Sequence, residues 1–241
     1  SINVWALPTK QTQSTVLSKV DDASDKEYYL AISGDVGPWP TATFQIEYDS
    51  SEWYMTAFLG DPGWMMLTVT VGDDLTVRIY RDGELIGTDT APHTATQTNL
   101  GGALGKLYGS YNSQFYGGHL RELSMHDRVL DIEEIGQLFE QITVPDTFTD
   151  VIGHWPLTDS ATGMVTDLSG NGHHGTVYGA THDPAAPGCV EYAYAKDCAQ
   201  IHHEHPDWPD GTYWIDPDGT GPVQVSCDMR PNNGGWTLVF H

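Results

Sequence analysis

The sequence predicts an all-β fold of antiparallel strands with one short helix. Three observations carry that expectation. The first is the stretch Leu67–Thr88, LTVTVGDDLTVRIYRDGELIGT. Leu67, Val69 and Val71 alternate with Thr68 and Thr70, and Leu75, Val77 and Ile79 alternate with Thr76, Arg78 and Tyr80. A period of two puts apolar side chains on one face and polar ones on the other, as in an antiparallel strand with one buried side. The second is Asp82-Gly83, a pair suited to a tight hairpin because glycine tolerates the positive φ of a type I′ turn. The third is composition: 26 Gly, 14 Pro, 8 Trp and 12 Tyr in 241 residues fit short strands joined by many turns.

The remaining elements follow in order. Ile2, Val4 and Ala6 alternate, and strands are expected at Thr15–Leu17 and Tyr28–Ile32, separated by the polar Lys19–Asp22. Gly37-Pro38-Trp39-Pro40 reads as a turn, Phe44–Tyr48 and Met55–Leu59 as strands, and Asp61-Pro62-Gly63 as another turn. Ala91–Asn99 is a Thr-rich loop, a run of glycines follows, and His119–Met125 is a strand. Ile132–Gln141 is the clear helix. Asp131 is its N-cap, Glu134 completes a capping box, and Ile132, Ile135, Leu138 and Phe139 share one face. Pro184–Gly188 reads as a linker.

Charge narrows the partners. Ten Lys and Arg stand against 33 Asp and Glu, a formal net charge of −23. Nucleic acid and anionic lipid both need basic patches, so neither is an expected partner. An acidic surface suits a salty or calcium-rich medium, though it also suits a solvated surface with no specific ligand. No apolar run reaches about 18 residues, so no membrane-spanning helix is expected. Cys189, Cys198 and Cys227 are the only cysteines and form no Cys-x-x-Cys zinc pattern. One disulfide plus one odd thiol is the simplest outcome outside the cell, which leaves a candidate interchain thiol.

Two resemblances appear along the chain. YRDGELIGT at 80–88, the following glycines and FYGGHLRELSMHDRVLDIEEI at 115–135 resemble the second half of a laminin-G-like, concanavalin A-like domain. The resemblance covers roughly residues 1–142 and implies a two-sheet jelly-roll sandwich in a secreted or surface protein. The head of that pattern follows its tail: GHWPLTDS lies at 153–160 and DLSGNGHHGTVYGA at 167–180. Segment 150–183 is then a second truncated copy, or it completes its own chain's sandwich, or it completes a neighbour's by strand exchange. An incomplete sandwich exposes an apolar face and unpaired edges, which favours completion in cis or in trans. Beyond the linker, at 189–241, Cys198, GTYWIDP at 211–217, Cys227-Asp-Met229 and Gly234-Gly235-Trp236 resemble the N-terminal part of a fibrinogen C-terminal-like domain. The fibrillar-collagen C-propeptide shares its Gly-x-Tyr-Trp-Ile-Asp-Pro part. This implies a small α+β subdomain stapled by Cys198 and Cys227, without that domain's calcium and ligand region.

Several constellations could carry chemistry. Glu47-Tyr48-Asp49-Ser50-Ser51-Glu52 spells the Glu-x-Asp-x-x-Glu of retaining jelly-roll glycoside hydrolases. That chemistry needs both carboxylates on one strand, about 5 Å apart, whereas Ser50-Ser51 reads as a turn. The resemblance implies a possible Ca2+ site at Asp167, Asn171 and the carbonyls of 170–172, with Asp159 and Asp127 adding charge. Oxygen-rich loops suit calcium, but an Asx-turn in which Asp167 caps backbone amides explains the same residues. Asp216-Pro217-Asp218-Gly219 reads as a hairpin turn. His202-His203-Glu204-His205 could bind zinc or copper on a helix, yet Pro206 favours an exposed loop; His173-His174 is read as structural. Trp39, Trp53, Tyr54, Trp64, Tyr108, Tyr111 and Tyr116 could stack on sugars, with Trp39, Trp53, Tyr111 and Tyr116 the named candidates for glycan contact, although sandwich core and rim is their commoner fate. No Asn-x-Ser/Thr sequon, nucleophile elbow or phosphate loop occurs.

These readings give a non-enzymatic, secreted adhesion or structural module. It would assemble with copies of itself or with matrix and cell-surface proteins, through strand complementation or through Cys189. The alternative is a calcium-dependent, lectin-like glycan-binding protein, and the distant third is a glycoside hydrolase.

Overall fold

A computed structural model of the chain describes residues 1–9, 14–20, 26–33, 40–48, 51–60, 63–94, 101–106, 115–140, 148–157, 163–181, 195–204, 210–215, 217, 223–230 and 234–238. The chain forms two compact units, 1–140 with 144–182, and 141–143 with 183–241.

The first unit is a sandwich. Its strands are β1 (Ile2–Pro8), β2 (Ser14–Val20), β3 (Lys26–Ser33), β4 (Thr41–Tyr48), β5 (Ser51–Phe58), β6 (Met65–Val71), β7 (Thr76–Arg81), β8 (Glu84–Thr90), β9 (Ala103–Leu104), β10 (Gly118–His126) and β11 (Val151–Trp155). One sheet has six strands in the order β11-β10-β1-β6-β7-β8, the other five in the order β5-β4-β3-β2-β9. All the pairings are antiparallel. Helix α1 (Ile132–Phe139) and the short pair β12 (Met164–Val165) and β13 (Gly175–Thr176) complete the unit.

The apolar phase of each strand builds the core. Val4, Leu67, Val69, Val77 and Ile79 from one sheet meet Val16, Leu30, Phe44, Met55 and Ala57 from the other. Each of these is buried, and each interdigitates as facing sheets require. The sheets approach closely where β8 passes β5. A Cβ on Gly87 would sit 2.5 Å from Met55 Cε and 3.1 Å from Ala57 Cβ, so any larger residue would have to displace the Met55 side chain and press on Ala57. The Asp82-Gly83 turn has φ values of 52° and 84°, the two positive values of a type I′ hairpin. Asp82 adds an anchor: its Oδ1 accepts from Met66 N at 2.8 Å. Leu75 has a φ of 62° in the preceding turn, so β7 begins at Thr76 rather than at Leu75.

Helix α1 has the expected capping box. Asp131 Oδ1 accepts from Glu134 N at 2.9 Å, and Glu134 Oε2 accepts from Asp131 N at 3.0 Å. Ile135 and Leu138 bury against Trp5, Met66 and Tyr80 on the outer face of the six-stranded sheet. Phe139 stacks on Trp5 with ring centroids 5.8 Å apart. The Arg121 guanidinium lies 4.6 Å from the Trp5 ring and 5.1 Å from Trp64.

Segment 150–183 joins its own chain. β11 pairs antiparallel with β10, with Leu123 opposite Trp155 and Ser124 opposite His154. Of the three arrangements left open by the sequence, this is completion in cis. The β10 edge that strand exchange would use is already filled. Trp155 turns inward onto the core, and Gly153 makes room for it: a Cβ there would lie 2.1 Å from the indole.

The second unit holds α2 (Cys198–Glu204) and a three-stranded antiparallel sheet of β14 (Gly211–Ile215), β15 (Val223–Asp228) and β16 (Trp236–Leu238). A disulfide joins Cys198 and Cys227. Its buried cluster adds Ile201, Tyr213, Ile215 and Met229 to the two cysteines. Gly235 has a φ of 87°, and a Cβ there would stand 2.9 Å from Ala199 Cα, which explains glycine before Trp236. The histidine run 202–204 is helical, not an exposed loop. His202 Nε2 lies 3.2 Å from Arg230 O; His205 falls outside the described residues. The helix escaped the sequence reading because Pro206 and the paired histidines argue for a loop, while Cys198 and Ile201 supply only one apolar turn.

Candidate functional site

Two places in the first unit gather side chains worth chemical scrutiny. One is the loop after β12, which clasps β11. The other is the outer face of the five-stranded sheet.

The clasp centres on Asp167, which is 5% exposed. Its Oδ1 accepts from His154 N at 3.0 Å and Ser169 N at 2.9 Å, and its Oδ2 accepts from His173 N at 2.9 Å. Burial alone would push its pKa up. The backbone N–H groups of His154, Ser169 and His173, with the Ser169 side chain, outweigh that and hold it at about 2. Asn171 Nδ2 donates to Val151 O at 2.7 Å and Ile152 O at 3.1 Å, and Trp155 Nε1 donates to His173 O at 2.7 Å. Asp167 N donates to His174 Nδ1 at 3.1 Å. His173 and His174 are therefore built into the loop.

This donor set does not fit a calcium ion. Asp167 spends both oxygens on backbone amides, and Asn171 directs its amide nitrogen at two carbonyls. Asp127, exposed, lies beyond the end of β10, where its N donates to Asp150 O at 2.8 Å. Asp159 lies outside the described residues. Among the described residues no three His, Cys, Asp or Glu side chains come together as metal ligands.

Beside the clasp, His154 Nε2 is 2.8 Å from Glu122 Oε2. Glu122 has a φ of 51° where the β1–β10 register shifts, a bulge that re-aims its side chain. His154 continues a buried polar row across the outer face of the six-stranded sheet, through Ser124, Asn3 and Thr68. Thr68 Oγ1 donates to Asn3 Oδ1 at 2.7 Å. His126, on the same face under Phe148, is pushed down to about 4, chiefly by burial.

The other outer face is different. Trp53, Met55, Ala57 and Leu59 point to the core, so Glu52, Tyr54, Thr56 and Phe58 point out. Tyr54 is 65% exposed and Phe58 64%. They stand four residues apart on β5, about 13 Å at the usual rise. Across the sheet, Tyr54 pairs with Gln45, and Gln45 with Tyr29. Thr56 pairs with Thr43, their hydroxyl oxygens 3.3 Å apart. Gln45 is 5% exposed, and its Nε2 has no hydrogen-bond partner. An unpaired buried amide costs free energy, so this donor marks a place where an acceptor would be welcome.

The named glycan-contact residues do not make this face. Trp53 and Tyr116 pack against the core, and burial pushes the Tyr116 phenol up. Trp39 and Tyr111 lie outside the described residues, as does Tyr108. Trp64 sits under Arg121 on the opposite sheet. The phase of Met55, Ala57 and Leu59 was the signal that could have separated Trp53 from Tyr54. The Glu-x-Asp-x-x-Glu run straddles a hairpin: Glu47 and Glu52 are register partners on β4 and β5, not neighbours on one strand. Asp216 and Asp218 lie outside the described residues, between the paired strands β14 and β15. Cys189 also lies outside them.

A family described as the concanavalin A-like lectin/glucanases superfamily matches residues 1–136 of the 241. The chain belongs to this superfamily. Its concanavalin A-like unit is similar in fold to a "putative carbohydrate binding protein" of Bacteroides ovatus, at 14% identity and a TM-score of 0.52, over 70% of this chain and 50% of that one. It is also similar to the IT-sialidase CBM40 of Ruminococcus gnavus bound to alpha2,3 sialyllactose, at 14% identity and a TM-score of 0.48, over 57% of this chain and 80% of that one. Residues 183–236 match the fibrillar collagen C-terminal domain. "Fibrinogen-like protein A" of Apostichopus parvimensis is 41% identical over 49 residues, 19% of this chain and 17% of that protein. The chain therefore matches about a sixth of the length of this curated relative. Among the described residues no helix is long and apolar enough to cross a membrane.

Proposed function

We propose that this chain is a non-catalytic, extracellular carbohydrate-binding module, and that its concanavalin A-like unit binds sugar on the outer face of the five-stranded sheet. The observation that carries this reading is the pair Tyr54 and Phe58, exposed on β5, with the unpaired Gln45 amide opposite Tyr54 and the buried Tyr29 beyond it. Aromatic faces offer sugar C–H groups an apolar surface, and a fixed amide orients sugar hydroxyls. The fold, shared with the Bacteroides ovatus protein titled for carbohydrate binding, agrees with it. An extracellular setting agrees with the Cys198–Cys227 disulfide.

The clasp needs no cation to hold it, because backbone amides already neutralise Asp167. Binding to immobilised glycans is therefore expected to survive EDTA, and no new reducing ends should appear on incubation. A profile with no bound glycan overturns the reading. Release of reducing sugar overturns its non-catalytic part, and loss of binding in EDTA overturns the cation-free part.

A further inference from the structure

We infer that the ligand of this face is an uncharged oligosaccharide lying along β5, with Tyr54 and Phe58 as its two stacking residues and Gln45 as the donor between strands. The inference rests on the carbohydrate-binding reading and narrows it to a substrate class.

Charge supplies the first argument. The outward positions of β4 and β5, and Tyr29, Ala31 and Ser33 of β3, carry no Lys or Arg. Recognition of a carboxylate or sulfate calls for charge-assisted donors, above all arginine. Here the hairpin end of the face instead presents the exposed Glu52, in a chain of net charge −23. An anionic sugar would meet repulsion from this acidic end of the face.

Geometry supplies the second. Tyr54 and Phe58 alternate with Thr56 on one strand, so their rings project on the same side about 13 Å apart. That is the span of a short oligosaccharide rather than of a single ring. Thr56 and Thr43 lie between them, their hydroxyls already touching at 3.3 Å. Gln45, opposite Tyr54, presents the one donor on this row that is buried and unpaired among the described residues.

The test uses the full chain against two panels. One holds neutral cello-, manno- and chito-oligosaccharides of two to six units; the other holds sialyllactose, heparin fragments and oligogalacturonate. The expected result is binding to neutral ligands alone, tighter with length up to the span of the two rings. Tyr54→Ala and Phe58→Ala should each weaken it by tenfold or more without shifting the melting temperature. Gln45→Leu should weaken it and leave the length preference. Binding to the anionic panel alone overturns the inference and leaves the carbohydrate reading standing. Neutral binding unaffected by Tyr54→Ala and Phe58→Ala likewise overturns the inference and moves the site elsewhere. A chain that binds neither panel overturns both. So does a dimer, seen by sedimentation, that Tyr54→Ala dissolves, because the occupant is then a second copy of this chain.

Discussion

The two outer faces of the sandwich are built from similar side chains and have opposite fates. On the six-stranded sheet, Trp5, Met66 and Tyr80 are roofed by Ile135 and Leu138 of α1, and the polar row His154–Ser124–Asn3–Thr68 is sealed in. On the five-stranded sheet, Tyr54 and Phe58 stand in solvent. Aromatic and polar residues therefore announce nothing by themselves on a sheet of this kind. Where they are covered they become structure, and where they stay exposed, as at Tyr54 and Phe58, they are open to a ligand.

That contrast can be broken or sharpened by substitution. The largest effect belongs to the roof. Ile135→Ala removes a fully buried side chain and should cost roughly 2–5 kcal/mol in urea unfolding. Next comes the clasp. Asp167→Ala strips the acceptor from three backbone amides and should cost about 3 kcal/mol. Hydrogen exchange at His154, Ser169 and His173 should then lose protection together. Third is a pH effect confined to the covered face. His126 is lowered from 6.5 to about 4, so the folded state binds fewer protons than the unfolded chain between those values. Stability should therefore fall as pH drops from about 6.5 to 4, by up to roughly 3 kcal/mol, and His126→Gln should flatten that slope. Asp167 acts lower: its stabilisation is present above its ordinary 3.8 and fades as pH falls towards 2. The smallest stability effect belongs to the exposed β5 edge of the five-stranded sheet. Phe58→Ala should change stability by less than about 0.5 kcal/mol while sugar binding collapses. A large loss of stability there would mean the face is covered after all.

The sandwich strands were readable because core-facing apolar residues alternate with polar ones in Leu67–Val71 and in Thr76–Tyr80, even though Thr68 and Thr70 are themselves buried. The helix was readable through its capping box. Two things were not. The partner of Val151–Trp155 depends on which β10 edge it meets, and nothing local in GHWPL encodes that. The helix at 198–204 is held by a disulfide and by the close approach of Ala199 to Gly235, both long-range. The candidate site shows a third kind of miss. Trp53 drew notice because it is the larger ring, yet its phase matches Met55 and Ala57, and that phase sends it inward.

The strand order also has a consequence for how the molecule acquires its shape. β1 lies between β6 and β10, with Ile2 opposite Val69 and Met125. A strand made early must therefore wait for one partner more than sixty residues downstream and another more than one hundred and twenty. β11, arriving later still, closes the edge. Pairings this distant in the chain make folding slow and leave sticky edges open meanwhile. During synthesis, the first unit can be finished only when the clasp itself has emerged.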